Sequence, residues 1–119
     1  MSESASVGDA GHELRIERMT SDEVAAAIAQ GARTAILPLA AVEQHGPHLP
    51  LSMDADHADE LAIRVARKLG DALVLPTVRV GYSPHHLGFP GTLSLRASTL
   101  VAIREDDGVN LAGSGLSTL

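Results

Sequence analysis

Two runs of the chain, TAILPLAAV (34–42) and ALVLPTVRV (72–80), are almost wholly apolar, and a segment of helical period separates them. A strand with one wet face alternates apolar and polar residues. A run that does not alternate reads as a strand buried on both faces, the condition of a strand in a parallel sheet covered by helices. The intervening ADELAIRVARKLG supplies such a helix. Leu61, Val65 and Leu69 recur at i, i+4 and i+8, Arg64, Arg67 and Lys68 fall on the other side, and Gly70 is a stop signal. Upstream, TSDEVAAAIAQG reads as another helix: Thr20 can cap it, Glu23 three residues later completes a capping box, and Gly31 can end it. After the second run, GYSPHHLGFPGTLSL reads as a long Gly/Pro loop with strand character at its end, and ASTLVAIRED as a third helix capped by Ser98. Pro76 marks a strand end or an irregularity. The alternation predicts an α/β layered fold.

The core composition agrees. Apolar residues are 45% of the chain but aromatics only 2%, so the interior must be built from Leu, Val, Ile and Ala, as suits helices on a parallel sheet. A net charge of −6 argues against a nucleic-acid binder, which needs a basic face, and against a basic membrane-surface helix. With no cysteine, disulfides and thiolate metal sites are excluded, and any metal must be held by nitrogen and oxygen. The opening MSESASVGDAGHE has no apolar segment of the signal-peptide kind, and no run is long enough to span a membrane; a cytoplasmic protein is expected. Residues 1–13 are expected to form a disordered tail. After Glu105 comes DDGVNLAGSGLSTL, where Gly108, Gly113 and Gly115 are expected to stop any helix and no further strand is legible.

The chemistry concentrates directly after the first apolar run. VEQHGPHLPLSMDADH (42–57) holds three His, two Asp and one Glu in sixteen positions. In extended backbone, side chains at i and i+2 face the same way, so Glu43 and His45 can share a point. That point lies beyond the carboxyl end of a strand, where open α/β sheets bind ligands. Prolines stiffen the loop that returns Asp54. Glu, His and Asp are a suitable set for Zn²⁺ or Mn²⁺, and a carboxylate can bridge two ions. The competing reading is a merely solvated polar loop, and E-x-H is a short pattern. His48 and His57 are read as loop and helix-start residues without ligation, and Asp56 and Asp59 as acids favourable to a helix N-terminus. Ser83, His85 and His86 lie on the loop after the second strand, which reaches the same sheet edge; no Ser/His/Asp triad can be argued from them.

PLAAVEQHGPHLPLSMD together with GYSPHHLGFPGTLSL resembles the creatininase (creatinine amidohydrolase) family, whose members carry E-Q-H-G-P-H-L-P-L-x-x-D followed by S-P-x-H-x-x-F-P-G-T. The likeness covers about residues 14 to 105. It implies a three-layer α/β/α fold with a mostly parallel sheet, and a two-metal hydrolase acting on C–N bonds of small amides. By motif position, Glu43 resembles the ligand of one metal, His45 that of the other, and Asp54 the bridging carboxylate. The implied cofactors are two divalent ions, Zn²⁺, Mn²⁺ or Fe²⁺. Ser83 and His86 fall where the family's loop approaches the substrate, while His85 stands where many members have an acid. The implied chemistry is attack on the amide carbon by a metal-activated water.

Members of the family continue into an N-G-H-x-x-N loop that supplies further metal ligands, and this chain has no match to it. The expected division is therefore a tail over 1–13, a partial domain over 14–105 with the C-terminal part of the fold missing, and an aberrant Gly/Ser-rich segment over 106–119, as from a truncated or frameshifted gene. Two functional readings follow: a metal-dependent amidohydrolase with a small-molecule amide substrate, and an inactive fragment keeping half the metal site. Uncovered apolar surface and open sheet edges lead to an expected homo-oligomer.

Overall fold

Helix α1 (Ser21–Ala29) begins where the capping box places it. Thr20 Oγ1 accepts from the Glu23 backbone N–H at 3.1 Å, and the Glu23 carboxylate accepts from the Thr20 N–H at 3.0 Å. The helix delivers the chain through Gly31 to strand β1 (Thr34–Ile36), after which come α2 (Met53–Leu69), β2 (Ala72–Val74), α3 (Ala97–Ala112) and β3 (Ser117–Thr118). This computed structural model describes residues 12–119, so the expected tail lies, but for His12 and Glu13, outside the described residues.

The three strands form one parallel sheet in the order β2-β1-β3, with Ala35 opposite Leu73 on one side and Thr118 on the other. The chain crosses from β1 to one neighbour through α2, then back past β1 to the other through α3. Parallel crossovers are right-handed, so reversing the direction puts α2 and α3 on opposite faces and completes three layers. β1 is thus the strand at which the order reverses, and the crevice beyond its carboxyl end is where such sheets bind ligands. The core is aliphatic, as composition requires: Leu14, Leu73 and Leu116 are fully buried, packed with Ala35, Ala66 and Ala72. Burying each leucine is worth about 1.5–3 kcal/mol. Among the described residues no helix is long and apolar enough to cross a membrane.

Several sequence expectations change here. Each apolar run yields only three residues of regular strand, because Pro38 and Pro76 offer no N–H to a ladder. The pairing resumes past the prolines: Val78 N–H donates to Pro38 O at 3.0 Å and Ala40 N–H to Val78 O at 2.9 Å. The stripe Leu61, Val65, Leu69 does not face the core; these residues are about half exposed, and α2 buries Ala55, Ala62, Ile63 and Ala66 instead. Side-chain size misleads there, since an alanine face lets a helix lie close on a sheet and contributes little to a hydropathy pattern. Ser98 does not cap α3, which starts one residue after Arg96 without a side-chain cap. Nor does Gly108 stop it: the helix runs on to Ala112, and Ser117–Thr118 adds the strand that the sequence left illegible. A single helical glycine costs only about 1 kcal/mol, which Leu111 and Leu116, packed on and in the core, offset.

Candidate metal centre

Past β1 the chain carries Glu43, Gln44 and His45, and past β2 it carries Ser83 to His86. The two loops are stitched together. Leu39 and Val78 form a parallel bridge, Val42 and Leu93 an antiparallel one, and Leu95 N–H donates to Gly81 O at 2.7 Å. Gly81 is required at this crossing: a Cβ there would stand 2.0 Å from the Ala40 carbonyl oxygen.

Asp54 arrives from the first turn of α2. That end of the helix is anchored by the continuation of β2. Arg79 pairs with Asp56 at 3.1 Å and with Asp59 at 3.3 Å, and Thr77 donates to Asp59. Ser52 Oγ donates to Asp56 at 2.8 Å. Asp56 and Asp59 therefore do more than complement a helix dipole; they tie α2 to the neighbouring strand and so set where Asp54 stands. The Ser52 hydroxyl, then Arg79, hold the Asp56 carboxyl below the usual aspartate range.

Glu43, His45 and Asp54 converge: one ligand atom from each lies within 4.8 Å of the others. His45 Nε2 is 3.5 Å from Asp54 Oδ1, yet that nitrogen is buried and makes no hydrogen bond. A buried imidazole nitrogen without a partner is costly. A divalent ion between an imidazole and two carboxylates would satisfy it, so the residues fit a metal of the N/O-binding kind. Ser83 is fully buried, and its hydroxyl donates to Glu43 Oε2; that hydrogen bond above all holds the Glu43 carboxyl below its ordinary range, as a ligand must be held to meet a cation unprotonated. Ser83 therefore faces Glu43 and not solvent. Its backbone N–H is in turn held by Ser94 Oγ at 2.8 Å.

His86 comes to the same place, with Nε2 3.9 Å from Glu43 Oε2, and the trio Glu43, His85, His86 also has ligand atoms within 4.8 Å of one another. His48 and His57 are exposed and stand in neither group. The sequence places His85 on the loop that reaches this sheet edge, but gives no sign of Gln44, whose amide joins the two loops through His86 Nδ1 at 3.2 Å.

The family model described as "Creatininase: Creatinine amidohydrolase" matches residues 17–119. The chain belongs to the creatininase family. That match extends through α3 and β3 to the last residue. A creatinine amidohydrolase of Pseudomonas putida is 34% identical over 109 residues, covering 87% of this chain and 42% of that protein. A mycofactocin precursor peptide peptidase of Mycolicibacterium smegmatis is 43% identical over 70 residues, covering 55% of this chain and 28% of that protein. Among solved structures, one named "Creatininase Mn" superposes with a TM-score of 0.80 at 33% identity, covering 89% of this chain and 43% of the other. A mutant creatininase of Zn-Zn type gives 0.79 at 33% identity, with coverages of 89% and 44%. The chain thus spans less than half the length of these creatininase relatives, and over that span it has their α/β fold.

Proposed function

We propose that this chain carries the metal-binding part of a creatininase-type hydrolase that cleaves a C–N amide bond of a small cyclic or peptide-like substrate. The observation that carries the reading is the convergence of Glu43, His45 and Asp54 on one point, with His45 Nε2 buried and unsatisfied. Solved creatininases named for manganese and for zinc support the choice of ions. The relatives' names leave the amide open between a cyclic small molecule and a peptide.

Glu43, His45 and Asp54 would hold the ions. When bound, divalent ions supply a Lewis acid for the carbonyl and bring the pKa of a coordinated water to about 7. The chain's own residues do the rest. Ser83 keeps Glu43 ionised and fixes its orientation, and the Arg79 clamp on α2 fixes Asp54. Titration of the apo-chain with Mn²⁺ or Zn²⁺ by calorimetry tests the assignment. His45→Ala is expected to weaken binding at least about 10- to 100-fold, the loss that removing even an outer partner of a metal ligand causes. Equal binding by a Glu43→Ala/His45→Ala/Asp54→Ala triple variant would sink it.

A further inference from the structure

His86 stands where it could be taken for another metal ligand, and the hydrogen bonds around it point elsewhere. The Gly46 backbone N–H donates to Gln44 Oε1 at 2.9 Å. A backbone N–H can only donate, so this contact fixes the amide's orientation: oxygen toward Gly46, nitrogen toward His86. Gln44 Nε2 lies 3.2 Å from His86 Nδ1. An amide nitrogen also only donates, so Nδ1 must accept, and the proton of the neutral ring then resides on Nε2. Nε2 is the atom that faces Glu43, at 3.9 Å.

The ring is held as well as polarised. The 3₁₀ turn Pro84–His86 carries it, half-buried, between the His85 ring with centroids 4.2 Å apart and the Phe89 ring with centroids 6.2 Å apart. A ring so protonated has no lone pair to give a cation at Nε2, and its other nitrogen is engaged by Gln44. We propose that His86 is a fixed hydrogen-bond donor and not a metal ligand. The Gly46–Gln44 pair locks its Nε2–H tautomer and presents that proton beside Glu43, where it would meet an acceptor of an amide substrate, the carbonyl oxygen foremost. Gln44 is the positioning residue. Of the two ligand trios around Glu43 among the described residues, only the one with His45 and Asp54 holds metal. This assignment rests on reading Glu43 as a metal ligand, whereas the tautomer does not.

The experiment separates the two. Long-range ¹H–¹⁵N correlation spectra of the histidine rings, recorded on the metal-free chain at a pH where His86 is neutral, report which nitrogen carries the proton. The wild type is expected to show Nε2–H. Gln44→Glu puts an acceptor against Nδ1 and is expected to switch the ring to Nδ1–H. An Nδ1–H wild type, or a Gln44→Glu variant with unchanged tautomer, would overturn the proposal. In Zn²⁺ titrations, His86→Ala should keep wild-type affinity while His45→Ala loses about tenfold or more. Equal losses would also overturn it. A wild type that binds no Zn²⁺ would defeat the metal assignment and leave the spectra to decide the tautomer.

Discussion

Helices α2 and α3 are of nearly equal length, 17 and 16 residues, and are held in quite different ways. α2 buries four residues against the sheet, begins with Asp54 and Asp56, ends with Arg67 and Lys68, and closes on Gly70 in the left-handed conformation at φ 82°. α3 buries none and has neither acids in its first turn nor bases in its last. The difference matches what each helix carries. α2 brings a carboxylate oxygen of Asp54 to within 4.8 Å of one of Glu43, and its ends are fastened accordingly. α3 serves as the crossover to β3, and its position is set by Leu111 and by the strand that follows it.

That contrast can be broken most directly through burial. Leu73 is fully buried in β2, the strand on which α2 packs, and Leu73→Ala is expected to cost about 2–5 kcal/mol. Val109 on α3 is 75% exposed, and Val109→Ala should stay within about 0.5 kcal/mol. Urea unfolding of both variants checks the pair; similar losses would mean that α3 is packed as α2 is. A sharper version uses one chemical change at two glycines. At Gly70 a methyl group has open space around it, but the left-handed backbone disfavours it by about 1–2 kcal/mol. At Gly108, inside α3, the nearest neighbour is Thr118 Oγ1 at 3.9 Å, ordinary contact, and alanine should add up to about 1 kcal/mol. Thermal melts should therefore move in opposite directions.

The smallest effect concerns acid. The Asp56 carboxyl is held low in the folded chain by Ser52 and Arg79, so its contribution is complete above the ordinary aspartate range, about pH 4, and fades as pH falls through the lower folded value. Asp56→Asn should lower the urea midpoint slightly at neutral pH and by less at about pH 3, below the ordinary aspartate value. An equal deficit at both would assign the loss to packing and not to charge.

These contrasts also mark what the sequence could reveal. The Thr20–Glu23 box and the Gly70 stop are local devices, complete within a few residues, and both form as read. The grouping of Glu43, His45 and Asp54 was legible because a period-two pair and a proline-stiffened return are likewise short-range. The inward face of α2 was not, because alanine weighs little in any pattern while Leu61, Val65 and Leu69 weigh much. The reach of α3 past Gly108 depends on β1, whose Thr34 and Ala35 offer an unpaired side to Ser117 and Thr118, 83 positions further along the chain. The partners of His86 and Asp59 are of the same kind: Gln44 and Arg79 lie far along the chain, and only the fold brings them near.

The crossing at Gly81 has a consequence for how this site tolerates change. One hydrogen atom is all that fits between that α-carbon and the Ala40 carbonyl, so position 81 works as a gauge for the gap between two pieces of chain. Any larger residue would wedge them apart. The Ser83 hydroxyl, two residues on, would then be drawn away from Glu43, three residues beyond Ala40. A substitution at a site bearing no functional group would in this way be read out as a loss of acidity at a carboxyl group it never touches.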